Sequence, residues 1–173
     1  ESVERIAALA RAQWQMPAGP IHNLTRALEA AGIVVVHSDM AGSAVDGVTF
    51  SAPGLPPLIV LNGNQPADRM RFTLAHELGH LVMHRTQPTQ QMEEQANEFA
   101  SFFLMPTQDI RPYYSRRIDL RLLAELKPVW RVSMASLLMR ARSLGLLAYN
   151  QERYLWQQFS MAKRISLKEL AES

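Results

Sequence analysis

The 173-residue chain contains no cysteine. That excludes disulfides, thiolate ligands and a thiol redox switch, so any bound metal must be held by nitrogen and oxygen donors. There is no run of eighteen apolar residues and no signal-peptide pattern, so neither a membrane span nor a secretory leader is expected. Internal repeats and low-complexity segments are also missing. What is present is 47% apolar content, enough at this length for one substantial core. These features lead us to expect a single compact cytoplasmic domain with no membrane contact. The chain opens on Glu1 rather than methionine, so we expect it to be processed or trimmed, with room for a domain upstream.

Charge is scarce in one segment in particular. From Phe72 to His84 the only acidic or cationic side chain, histidines aside, is Glu77. A segment opening at Asn64-Gln65-Pro66 and running through Arg85 has helical periodicity, with Leu74, Ala75, Leu78, Leu81 and Val82 on one side. Proline is tolerated in a first helical turn, and no further helix breaker appears before Gly79. The helix is therefore expected to lie inside the domain. Within it stands His76-Glu77-Leu78-Gly79-His80. On a helix, histidines at i and i+4 share a face one turn apart and can grip one zinc ion together, while the intervening glutamate can reach a water held there. The five-residue pattern alone arises by chance in roughly one such sequence in a hundred; the buried, charge-poor helix makes it specific, because a buried glutamate among histidines is costly without a partner. Gly79 is expected to let another backbone pass close by, at a helix-propensity cost of about 1 kcal/mol.

A catalytic zinc usually takes three protein ligands. The next helical pattern, Met92 to Met105, ends at Pro106 and buries Met92, Ala96, Phe99, Ala100, Phe103 and Leu104, with Glu94 and Glu98 on the solvated side. Glu93 falls at the inward edge, with Asn97 one turn further along. The short polar loop from Arg85 to Gln91 brings this helix beside the first, so Glu93 is taken as third ligand, with Glu94 the alternative if the helix is rotated.

Arg71 to His84, followed by Glu93, Ala96-Asn97, Phe99-Ala100 and Phe103 to Pro106, resembles the ImmA/IrrE family of metallopeptidases. The similarity extends to Gly19-Pro20-Ile21, Ala31 to Val35 and Leu58 to Asn62 upstream. Downstream it takes in Leu126-Lys127-Pro128, Val132 to Leu137, Leu144-Gly145-Leu146 and Tyr154 to Trp156. The resemblance implies a highly selective bacterial peptidase that cleaves a helix-turn-helix repressor and so switches on stress-response, phage-defence or mobile-element genes. It also implies that His76, His80 and Glu93 hold Zn2+ and that Glu77 is the general base.

The chemistry follows from the residues as well. Zinc polarises the scissile carbonyl and acidifies a water, and Glu77 accepts the proton and passes one toward the leaving amine. His84, one turn beyond His80, is a candidate to stabilise the oxyanion or to orient a ligand; its other reading is a terminal histidine capping the last helical carbonyls. Tyr113 and Tyr114 are weaker donor candidates.

The expected fold is α+β and mostly helical, with a zinc-peptidase (gluzincin-like) core, a small three-stranded sheet and a C-terminal helical region. Helices are expected near Val3 to Trp14 and Ile21 to Ala31. Strands are expected at Ile33 to His37, Gly47 to Phe50 and Leu58 to Leu61, forming an antiparallel sheet whose Val48 to Phe50 or Leu58 to Leu61 edge could hold an extended substrate. Residues 1–110 form the peptidase core. Residues 111–173 form a basic helical region packed on it, with helices near Asp119 to Leu126, Ser133 to Ser143 and Asn150 to Ser160, the first two divided by Lys127-Pro128. Residues 1–110 carry 6 Lys/Arg against 11 Asp/Glu, and residues 111–173 carry 12 against 5, giving −5 and +7. Arg111, Arg116, Arg117, Arg121, Arg131, Arg140, Arg142 and Arg153 therefore raise a second reading, a DNA-binding or repressor-binding regulator whose metal site is sensory or structural. An ordinary tail with a solvated basic face is the plainer alternative.

Overall fold

The computed structural model describes residues 1–172, with side chains through Arg164. The fold is α+β: helices α1 (Val3–Gln13) and α2 (Leu24–Ala30) precede strands β1 (Val34–Ser38), β2 (Gly47–Phe50) and β3 (Leu58–Asn62). Helices α3 (Ala67–Met83), α4 (Gln90–Leu104), α5 (Thr107–Ile110), α6 (Leu120–Trp130), α7 (Met134–Ser143) and α8 (Tyr149–Glu172) follow. Local chemistry sets most boundaries. Ser2, Asn23, Thr89, Asp119 and Ser133 each accept a backbone N–H of the helix they start, the capping that side chains of this type provide. Because Asn23 is the cap, α2 begins three residues later than the apolar pattern alone suggests.

The sheet is mixed rather than antiparallel. Its order is β1-β3-β2, with β1 parallel and β2 antiparallel to β3. The alternation of apolar residues fixes which side chains point inward but says nothing about strand order. In this order β3 is central and buries Ile59 and Leu61. Leu58 to Leu61 is therefore paired on both sides and offers no edge, which leaves β2 as the free edge nearest α3.

Helices α3 and α4 pack antiparallel against each other and form the centre of the molecule. Leu74, Ala75 and Leu78 of α3 and Ala96, Phe99, Ala100 and Phe103 of α4 are at most 2% exposed; burying a side chain of Leu or Phe size contributes about 1.5–3 kcal/mol. Gly79 is the close point of this pair. A Cβ there would lie 3.1 Å from both Cβ and Cδ1 of Phe99, so the neighbour that needs the space is an aromatic side chain and not a passing backbone.

The core cluster runs without interruption from Ala7 through Leu155. Two buried arginines tie its parts together. Arg11 donates to the carbonyls of Phe103, Pro17 and Gly19 at 2.8, 2.6 and 2.7 Å, and Arg140, 1% exposed, donates to Met105 O at 2.9 Å and Thr107 Oγ1 at 2.8 Å. Lys127-Pro128 does not divide two helices, since α6 continues through Pro128 to Trp130. Burial of Trp130 and Leu126 outweighs the hydrogen bond that proline forfeits, and the helix stops instead at Arg131, whose φ of 55° is left-handed. Likewise α8 runs well beyond Ser160. No helix among the described residues is long and apolar enough to cross a membrane.

Candidate metal centre

His76 and His80 lie one turn apart on α3, and Glu93 lies in the first turn of α4, where the helix dipole favours a carboxylate. The three side chains converge: their donor atoms lie within 4.8 Å of one another. His76 Nε2 is 2.9 Å from Glu93 Oε2, and His80 Nε2 is 2.9 Å from Glu93 Oε1. Glu94 is exposed, faces its own helix through Gln90 at 3.4 Å and takes no part.

The far nitrogens of both rings are engaged. His76 Nδ1 lies 2.8 Å from Asn97 Oδ1, so Nδ1 carries the proton and Nε2 the lone pair. For His80 the same result comes through a relay. His84 Nε2 donates to Gln95 Oε1 at 2.9 Å, which makes His84 Nδ1 an acceptor for His80 Nδ1–H at 2.8 Å. Burial first, and then the neighbouring His76, hold the His80 imidazole below its ordinary pKa, which keeps it in the neutral form that ligates metals. Two lone pairs thus face two carboxylate oxygens at contact distance. His80 Nε2 is buried and makes no hydrogen bond; its 2.9 Å approach to Glu93 lacks hydrogen-bond geometry. Three electron-rich donors aimed at one point, one of them buried and orphaned, fit a divalent cation, and the histidine–carboxylate donor set suits zinc.

His84 ends up outside the helix it was expected to extend. It is the C-cap of α3 in extended conformation, with its backbone N–H on His80 O. Its ring does not cap carbonyls; it orients His80, as partners of ligating histidines commonly do.

Glu77 is 8% exposed and belongs to the same helix, but a strand holds it. Thr49 Oγ1 of β2 donates to Glu77 Oε2 at 2.6 Å. Gly47 eases this approach: a Cβ there would come 3.0 Å from Thr73 Cγ2 and 3.1 Å from Glu77 Cγ, so a larger residue would push on the side chains of α3, Glu77 among them. Sequence reading placed the strand but missed Thr49, whose contact with Glu77 is tertiary and has no local signal. The strand, Glu77, His80, His84 and Glu93 line a cleft of about 910 Å³, together with Arg85 to Pro88 of the loop after α3. The outer edge of β2 borders this cleft.

Tyr113 and Tyr114 are elsewhere. Tyr113 packs edge-on against Trp130 at 5.3 Å, and the buried Tyr114 donates to Leu137 O at 2.7 Å, its pKa pushed up by burial. Neither lines the cleft; both act in packing.

No curated protein sequence matches the chain. A family model, that of the IrrE N-terminal-like domain of peptidases, matches residues 28–142, a span that begins in α2, takes in the sheet and the whole cluster of donors, and ends in α7. With two thirds of its length matched and His76, His80 and Glu93 converging as one donor group, the chain belongs to the ImmA/IrrE-type peptidase family.

Proposed function

We propose that the protein is a zinc-dependent, site-specific endopeptidase whose substrate is a helix-turn-helix transcriptional repressor, so that cleavage releases stress-response, phage-defence or mobile-element genes. The observation that carries the hydrolytic part is that Glu77 shares with His80 and Glu93, two members of the three-donor cluster, a cleft also lined by the edge strand β2. His76, His80 and Glu93 would hold the ion. When bound, zinc supplies Lewis acidity that polarises the scissile carbonyl and makes a water acidic near neutral pH.

The remaining work falls to the chain. An extended peptide pairs with the outer edge of β2 through backbone hydrogen bonds, which brings its carbonyl over Glu77. Glu77 accepts the proton of the attacking water and returns one to the leaving amine. Thr49 holds one carboxylate oxygen by its hydroxyl and leaves Oε1 for the proton. His84 and Asn97 keep the two imidazoles in the tautomer that presents Nε2 to the ion. The repressor as substrate rests on the family resemblance; the basic C-terminal half is a docking surface suited to an acidic partner.

The test is incubation of the zinc-loaded protein with its cognate repressor, beside Glu77→Gln and a chelator-treated sample. Specific fragments are expected from wild type alone, with Glu77→Gln slower by about 10²–10⁴-fold. Equal cleavage by the variant, or an intact repressor in every sample, rules the reading out. The +7 charge of residues 111–173 favours one second reading, a DNA-binding regulator with a sensory or structural metal, which predicts a salt-dependent shift on nonspecific duplex DNA.

A further inference from the structure

A second cavity, of about 730 Å³, lies on the opposite side of α3 from the metal ligands. Arg71, which lines it, sits roughly 140–180° around the helix from His76 and His80. The cavity joins four regions distant in sequence: the segment entering α2, the sheet through His37 and Leu61, the first half of α3, and the end of α6.

Its charge is uncompensated. Arg71, Lys127 and Arg131 line it against a single carboxylate, Asp68, a formal balance of three minus one, or +2. Asp68 is 3.7 Å from Lys127, and among the described residues neither Arg71 nor Arg131 has a carboxylate within 4.0 Å. The Arg71 guanidinium donates to Ile21 O at 2.6 Å, while its Nε is buried with no partner at all. Arg131, the left-handed C-cap of α6, lines the same cavity and donates to the carbonyl of His22. Burial, and then the like charges of Arg131 and Arg11, lower the Arg71 pKa to about 10; the group stays charged near neutral pH, and the direction of the shift marks a cation without an anion. His22 and His37 stand at the rim, and Leu24 and Leu74 give the cavity an apolar wall.

We infer that this cavity binds a small phosphomonoester, its phosphate between the guanidiniums of Arg71 and Arg131 and its apolar body against Leu24 and Leu74. A phosphate dianion matches the +2 balance, and guanidinium forks match phosphate oxygens in pairs. A volume of this size accommodates a small organic ligand. The inference does not depend on the peptidase reading, since none of these residues belongs to the metal cluster or its cleft.

The test is isothermal titration of the metal-loaded protein at low ionic strength, where charge pairing is least screened, with phenyl phosphate, inorganic phosphate and benzoate. Phenyl phosphate is expected to bind at least about tenfold more tightly than the other two. Arg71→Gln and Arg131→Asn should each weaken it by about tenfold or more, with zinc content unchanged. Asparagine tolerates the backbone at position 131, so Arg131→Asn decides the matter if Arg71→Gln fails to fold. Phenyl phosphate binding that is absent at millimolar concentration, matched by benzoate or by inorganic phosphate, or indifferent to Arg131→Asn, as binding at the metal centre would be, overturns the inference.

Discussion

At the scale of single residues, the site is a set of atoms made available by what their partners already hold. Glu77 is useful because Thr49 takes one of its oxygens and not both. Thr49→Val keeps the size of the side chain and removes that hydroxyl; residues that orient catalytic or ligating groups typically account for 10–100-fold, so kcat is expected to fall by about tenfold or more at unchanged zinc content. An unchanged kcat would make the contact incidental. The ligand assignment is checked by elemental analysis of Glu93→Ala beside Glu94→Ala. Near-stoichiometric zinc should be lost in the first and kept in the second, because only Glu93 reaches both imidazoles; zinc indifferent to both changes would move the metal elsewhere.

At the scale of elements, the metal centre is an interface between α3 and α4, and its precision depends on how closely the two helices approach. Gly79→Ala places a methyl group 3.1 Å from Phe99. Overpacking of a filled core costs about 1–3 kcal/mol, offset by about 1 kcal/mol of helix propensity. A lower urea midpoint is expected, together with weaker zinc retention, whereas a higher midpoint would show that Phe99 gives way. Elements were also where the sequence was most and least legible. The two site helices could be read because their apolar periodicity, the proline opening the first and the Pro106 stop of the second are local signals, and the inward position of Glu93 follows from the same wheel. Strand order could not be read, since apolar alternation sets which side chains point inward and is silent on which strands pair. Thr49 was hidden for that reason: its role exists only once the strand lies against the helix. Pro128 misled because a local breaker was outweighed by the burial of Trp130.

At the scale of the whole molecule, the acidic and basic halves are joined through buried groups and not only through surface charge. Arg140 comes from the basic half, yet it is 1% exposed and fastened to Met105 and Thr107 at the end of the peptidase core. Arg140→Met leaves those acceptors unpaired, at about 1–3 kcal/mol for each buried group left without a partner. The variant is expected to unfold at lower urea in one transition seen alike by circular dichroism and tryptophan fluorescence; two separated transitions would mean that residues 111–173 fold apart from the rest. On the surface of this half, Arg116 and Arg121 pair with Glu125, and Arg142 pairs with Glu152. This reduces the charge available to a DNA duplex and predicts a shallow dependence of any duplex binding on salt.

The donors of the metal centre and their orienting partners all come from residues 76 to 97, whereas the core that encloses them is completed by Trp130, Leu137 and Leu155. During synthesis on the ribosome, the full donor set has therefore been translated before any of α6, α7 or α8. The order of the chain allows the ion to be captured by a nascent helical hairpin, so that metal supply and the ribosome's pace, and not only the affinity of the finished fold, would bear on how much of the protein matures loaded.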